Sequence, residues 1–302
     1  MVMIKDDWAY ALEPGIREWF NVGYSRRPSM ISTLFNVMQS AKDSEYFHSF
    51  GAISPDAWKN FERSGQVSSV SFDKGYRTTF THKEFVVELP IRRTFLEDNL
   101  YSNILEPSQQ LGDSAALRRE TDAASVFNNA SSTSYLGGDG VPLVDSSHPQ
   151  GPHKGSAVQD NEGSLSISAD NVETVRQAMM AYTDDVGELI GVMPNLILVP
   201  PELENEAKII TQTEFKVGSA NNDINPQQGR FSYMVWHYLT DADGWFMIDT
   251  NLMKRSLVWF DRIPLGINLK NEDTTVYARY IARMRYSYGW RDWRWIYGNN
   301  IT

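Results

Sequence analysis

The chain reads as an α+β fold with two lobes, on three observations: a long alternating strand near the C-terminus, an alanine-rich helix in mid-chain suited to cover it, and a run of helix, strand, helix and paired strands between them that forms a unit of its own. The strand is Thr275 to Tyr288. Alternate positions place Val276, Ala278, Tyr280, Ala282, Met284, Tyr286 and Tyr288 on one side, and Tyr277, Arg279, Ile281, Arg283 and Arg285 on the other. Period 2 with this segregation makes one apolar and one basic face. The run is longer than the usual strand of about 3 to 10 residues, and its apolar face needs a covering layer, for which the helix from Asp113 to Ala130 is the best candidate.

Composition narrows the function. The 302 residues allow one large or two modest domains with a substantial core. Zero cysteines exclude disulfides and thiolate metal sites and fit a reducing compartment. A net charge of -10 argues against nucleic-acid binding as the main role. No apolar run approaches the length of a signal-peptide core or the ~18 residues of a membrane helix, so a soluble, cytoplasmically assembled protein without membrane contact is expected. Nine Trp, 14 Tyr and 14 Phe permit extensive self-association.

Residues 1 to about 62 read as short amphipathic helices. Ile31, Leu34, Phe35 and Met38 share one helical face, and Ser54, Pro55 and Asp56 form an N-terminal cap ahead of Trp58 and Phe61. These faces have no strand to cover and are expected to lie on the main body or on a neighbouring chain. Between Gly65 and Leu89 two polar alternating runs flank Asp73, Lys74 and Gly75, which predicts a hairpin with Gly75 at positive φ. Such a hairpin cannot bury a face alone and is expected to protrude and gain order from a neighbour.

Ile91 to Leu105 has helical propensity, Pro107 is expected to break it, and Asp113 or Ser114 to restart it. Ala116, Ala123, Phe127 and Ala130 lie near one face of that helix; Arg118, Arg119, Glu120 and Asp122 mark the other. Ser131 to Ser164 is a long polar loop. Asp170 with Glu173 suggests a capping pair for a helix whose stripe is Val172, Val175, Met179, Tyr182, Val186 and Ile190. Asn195 to Val199 is a buried strand followed by a helix from Pro200, Pro201 and Glu202. Lys216 to Arg230 is a polar loop, and Tyr233 to Leu239 with Trp245 to Asp249 reads as a hairpin turning at Asp241 to Gly244.

Each chemical motif has a plainer explanation. Asp145, Ser146, Ser147, His148 and His153 contain the residue types of a Ser-His-Asp or two-histidine metal site, but adjacency in a loop is not triad geometry and no G-x-S-x-G elbow exists. Asp241 and Asp243 before Gly244 lack the remaining ligands of a calcium loop. Gly137 to Gly140 lacks the Lys-Ser or Lys-Thr of a phosphate loop. Arg279, Arg283 and Arg285 suit a salt-bridged strand face meeting acidic neighbours better than a nucleic-acid surface. No catalytic, cofactor-binding or metal residue is therefore assigned, and no enzyme or cofactor is predicted.

In order and spacing, Phe72 to Phe85 (FDKGYRTTFTHKEF), Gly138 to Pro149 (GDGVPLVDSSHP), Pro194 to Ala207 (PNLILVPPELENEA), Leu239 to Asp249 (LTDADGWFMID) and Gly289 to Gly298 (GWRDWRWIYG) resemble tailed-bacteriophage major capsid proteins of the Hong Kong 97-like fold, nearest to Mu-like major head subunits. The resemblance covers nearly all of the chain beyond about residue 60. It implies an N-terminal arm at 1–62, an extended hairpin loop at 63–90, spine helix and first peripheral part at 91–165 with the spine at 107–130, an axial domain at 166–269, and the long strand of the peripheral domain at 270–302.

The same resemblance implies self-assembly into pentamers and hexamers of an icosahedral head in the virion, enclosing double-stranded DNA without sequence-specific contact. Portal, scaffolding and decoration proteins are the implied partners. Some capsids of this kind join a hairpin Lys to a neighbour's Asn; Lys74, Lys83, Asn299 and Asn300 do not match that context, and no cross-link is predicted. Three other functions are weighed: an encapsulin-type shell of the same fold enclosing a cargo enzyme, a soluble hydrolase using the 145–153 loop, and a phage tail or decoration protein.

Overall fold

The computed structural model describes residues 7–301 apart from 66, 68, 71–73, 99, 152–156, 216–222 and 271–275. In chain order its elements are α1 (Asp7–Ser25), α2 (Ile31–Leu34), β1 (Asn36–Gln39), β2 (Ser44–Phe50), α3 (Phe61–Ser64), β3 (Lys74–Thr81), β4 (Lys83–Arg92), α4 (Arg93–Glu97) and α5 (Ser102–Asn128). There follow β5 (His148–Pro149), β6 (Val158–Gln159), β7 (Glu162–Gly163), α6 (Ala169–Met180), β8 (Leu196–Val199), α7 (Glu204–Gln212), β9 (Ser232–Val235) and β10 (Trp245–Ile248). The chain closes with α8 (Thr250–Ser256), β11 (Leu257–Lys270), β12 (Tyr277–Trp290) and β13 (Ile296–Asn299).

The long strand is β12, at the centre of a four-stranded sheet in the order β1-β11-β12-β4. Its alternation is as expected: Ala278, Tyr280, Ala282, Met284 and Tyr286 are buried under helices, while Arg279 and Arg283 on the opposite face pair with Glu88 and Glu84 of β4, and Arg285 pairs with Asp43. The β11–β12 ladder runs from Leu257 opposite Trp290 to Lys270 opposite Arg279, with register shifts between Asp261 and Gly266. Pro264 lies in that interval and has no N–H for the ladder, which accounts for the irregularity.

Two helices form the covering layer. Expected over 113–130 from periodicity and over 107–130 from the resemblance, the spine helix α5 extends back to Ser102 and passes through Pro107. The proline sits one turn from the start, and the Ser108 hydroxyl donates to the Ile104 carbonyl at 2.8 Å, so that turn keeps a donor. Below it, α1 is one continuous helix where short pieces are expected; Ile16 and Phe20 join Ile104, Ile91, Ile267 and Tyr280 in a single cluster. The helices touch backbone to backbone where Gly23 meets Gln109 and Gly112 meets Phe20, since a Cβ at either glycine would fall on the facing carbonyl.

On the charged face of α5, Arg119, Glu120 and Asp122 are buried, while Arg118 stays exposed. Arg119 makes a two-pronged pair with Asp261 at 2.9 and 3.0 Å, Asp122 accepts from the Tyr286 hydroxyl at 2.6 Å, and Glu120 accepts from the Ser29 hydroxyl and from the Met30 N–H. The sheet covers one side of the helix and the turn after α1 another, so these charges are held by partners instead of water.

A second, five-stranded sheet has the order β7-β13-β10-β8-β9. Here β9 and β10 both flank β8, one parallel and one antiparallel, so the expected 233–249 hairpin does not form. The closing segment, expected beside the long strand, supplies β13 to this sheet instead. Phe127 at the end of α5 enters its core edge-on to Trp236, Phe246 and Trp295, with ring centroids 5.6, 5.4 and 6.1 Å away. These edge contacts join the spine to the second sheet.

Three local expectations also change. Asn36–Gln39 is a strand parallel to β11, so the helical face through Phe35 and Met38 ends at Leu34. The cap of α6 is the Ser168 hydroxyl, accepting from Asn171 N–H, in place of Asp170 with Glu173. Val172, Val175 and Met179 are buried on that helix as expected, but it stops at Met180, and Gly187 and Gly191 at φ 95° and 75° turn the chain through Val186 and Ile190.

The buried pair gives a stability test. Arg119→Met leaves the Asp261 carboxylate without its main partner and is expected to lower subunit stability by about 3–5 kcal/mol. Adding Asp261→Leu is expected to recover part of that loss, as read by urea unfolding of subunits kept unassembled.

Candidate functional site

Among the described residues of the loop at 131–164, those that suggested catalysis are not brought together as a triad. His148 is fully buried, its Nδ1 is 2.8 Å from the Asp139 carboxylate, and its ring stacks on Trp293 at 4.2 Å. The Ser147 hydroxyl donates to Asp145 at 2.5 Å, so Asp145 and Ser147 close their own turn and neither meets the imidazole. His153 lies outside the described residues. Asp139, read only as a turn residue, is the partner the sequence reading missed. Because Leu143, Val144, His148 and Asn161 are buried, this polar stretch is a packed part of the body.

Other candidates fall to their plainer explanations. Asp241 Oδ1 accepts from the N–H groups of Asp243 and Gly244, each at 3.1 Å, which closes a turn. Gly137 N–H donates to the Val141 carbonyl at 2.8 Å, and Gly140 adopts φ 86°. Among the described residues no group of three or more His, Cys, Asp or Glu could hold a metal, and no helix is long and apolar enough to cross a membrane. Asn299 is fully buried, with its Oδ1 facing the Leu165 N–H, and is shielded from any neighbour.

Of the hairpin expected across Asp73–Gly75, residues 66, 68 and 71–73 lie outside the described residues, and the second expected strand belongs to a different ribbon. β3 pairs antiparallel with β2, from Ser44 opposite Thr81 to Phe50 opposite Lys74, while β4 pairs with β12. Gly75 lies inside β3, where Ser49 leaves no room for a Cβ, and the positive φ belongs to Gly65 at 63°. One residue, His82, separates the ribbon from the body sheet.

At this root His82 is buried between two hydroxyls. Ser40 Oγ lies 2.8 Å from the Glu45 carboxylate, which takes its only proton, so Ser40 accepts from His82 Nε2–H at 3.1 Å. Nδ1 then accepts from the Ser287 hydroxyl at 2.9 Å. Burial, with Arg285 next, holds the imidazole below its ordinary pKa; the Ser40 hydroxyl, chief among its contacts, holds the Glu45 carboxyl below the usual range.

Beyond the root the ribbon and its continuation expose apolar groups. Trp58 and Val67 are each 87% exposed, Tyr46, Ile53 and Val70 are also exposed, and Val86 and Val87 add to this on β4. Large groups left bare in this density mark an interaction surface.

A subunit with a two-sheet body, a spine helix between its layers and a β2–β3 ribbon has the α+β fold of Hong Kong 97-like capsid structures. The family model of the phage capsid protein matches residues 77–299, so the chain belongs to that family, and it is a major capsid protein of the phage head shell. No curated protein matches it. Among solved structures it is similar to the capsid of bacteriophage JBD30 decorated with minor capsid protein trimers, at 18% identity over 71% of this chain and 92% of that one, TM-score 0.55. It is also similar to the mature capsid of bacteriophage PhiM1, at 12% identity over 90% and 87%, TM-score 0.58. The virus-like particle from Pyrococcus furiosus aligns at 8% identity over 95% and 98%, TM-score 0.55.

The ribbon root carries a pH dependence. With the folded pKa of His82 below its unfolded value of about 6.5, the unfolded chain takes up the proton first as pH falls. Stability is therefore full above about pH 7.5 and declines below it, by at most about 1.4 kcal/mol per pH unit, while Glu45 contributes its own loss only below about pH 4.5. His82→Gln is expected to flatten the upper part of this profile in unfolding experiments on unassembled subunits; an unchanged slope between pH 7.5 and 5.5 would count against the assignment.

Proposed function

We propose that this major capsid protein assembles as pentamers and hexamers into an icosahedral head that encloses double-stranded DNA, with the β2–β3 ribbon lapping over a neighbouring subunit. The observation that carries this reading is the bare apolar ribbon: Trp58 stands almost fully exposed on a segment that has no core of its own. Ordering such a segment costs about 1–2 kcal/mol per residue in backbone entropy, a cost that contacts repeated around a shell offset.

In this reading the extended loop is the ribbon with the residues that follow β2, the spine is α5, and the peripheral region is the four-stranded sheet with α1. The axial lobe is the five-stranded sheet with α6 and α7. The role is structural and without catalysis. Assembly takes place in the host cytoplasm with scaffolding and portal proteins, and decoration proteins bind the finished shell. A net charge of -10 on each subunit favours DNA that is confined without being gripped.

Trp58→Ala tests the reading. The substitution removes nothing from the core, so subunit unfolding should be unchanged, while loss of an interface anchor of about 2 kcal/mol raises the concentration needed for shells about thirtyfold. Sedimentation and negative-stain microscopy read the outcome; shells at the wild-type threshold would overturn it.

A further inference from the structure

Between the N-terminal end of α6 and the C-terminal turn of α7 the surface opens into a groove of about 290 Å³. Its floor is apolar, with Ile167, Ala169, Ile209 and Ile210, and Asp170 and Glu206 stand in it as exposed carboxylates. The volume is at the small end for a ligand pocket and suits one bulky side chain with part of its neighbour. Nothing in the described chain fills it, although Ile209 is 40% exposed there.

The same chain carries a segment with the matching chemistry. Trp58 is followed directly by exposed Lys59, with exposed Ile53 before it and Arg63 after it. The Ala52 N–H donates to the Asp185 carboxylate at 3.0 Å, which fixes the start of this segment against the lobe built on the five-stranded sheet. Six residues beyond that point reach at most ~20 Å, so Trp58 is delivered at the flank of that lobe.

We propose that the groove between α6 and α7 receives Trp58 and Lys59 of a second copy of this chain, the indole on the isoleucines and the ammonium beside Asp170 and Glu206. The inference rests on the proposed assembly and names the receiving surface for its ribbon. Because donor segment and groove are different surfaces, the contact is head-to-tail, the type that closes rings of five or six when the rotation allows.

The chain has no cysteines, so an introduced pair reports this contact alone. Shells assembled from a Lys59→Cys, Glu206→Cys variant and oxidised are expected to give a ladder of covalent multimers on a non-reducing gel, and mixed single variants to give dimers. Shells that form but yield no multimers above the single-variant background, or only an intrachain disulfide, overturn the docking while leaving assembly standing. Failure of the wild-type chain to form shells overturns the assembly reading instead.

If the cysteine pair does not assemble, charge exchange tests the same contact. Lys59→Glu is expected to raise the assembly concentration about fivefold, and Glu206→Lys in the same chain to restore it; absence of rescue overturns the docking.

Discussion

Arginine and carboxylate side chains can lie between a helix and a sheet only when each finds a partner there, because a charge removed from water without one is prohibitively costly. Helix α5 meets that condition along one face: Arg119 on Asp261, Asp122 beneath the Tyr286 hydroxyl, Glu120 over the turn at Ser29 and Met30. Trp259 adds its own N–H to Asp261 at 3.0 Å, and the Arg119 guanidinium sits over the Trp259 and Tyr286 rings. These contacts fix both the rotation of the helix and its position along β11 and β12. The apolar layer of α1, the plug of Phe127 in the second sheet and the direction in which the ribbon leaves all follow from that placement.

A body held in this way can carry a segment whose outer part has little core of its own. The β2–β3 ribbon is attached through a small polar cluster and through Phe47 and Phe80 on Phe260, with centroids 5.7 and 5.5 Å away. Arg291 covers the Phe47 ring from the other side at 3.5 Å. Past this point bare aromatic and aliphatic groups take over, which a monomer has no use for and a shell does.

What could be read from the sequence was local or strongly periodic. The alternation from Ala278 to Tyr286 was visible because period 2 persisted with little exception, and Val172, Val175 and Met179 because spacing and burial agree on one helix. Pairings between distant segments were not visible: nothing near Lys74 signals that its partner strand is Ser44–Phe50, and Lys74 and Gly75, read as turn residues, lie inside β3. Charge misled at Arg119, Glu120 and Asp122, since a charged helical face is read as wet unless its partners at Ser29, Asp261 and Tyr286 are known. For His148 the signal was present as Asp139, nine residues earlier, but a carboxylate in a glycine turn already had a sufficient explanation.

The junction between β3 and β4 is a single residue, and the other attachment, from Ser40 to Asp43, is only four residues long and tied down by Glu45 and Arg285. A ribbon with so short a root, packed through Phe47 and Phe80 on Phe260 and bonded again where the Ala52 N–H meets Asp185, has few orientations, and intermediate angles break the ladder on one side or the other. In the proposed rings of five and six, subunits differ by steps at this root or by bending elsewhere, and the ribbon acts as an indexed arm, not a compliant one.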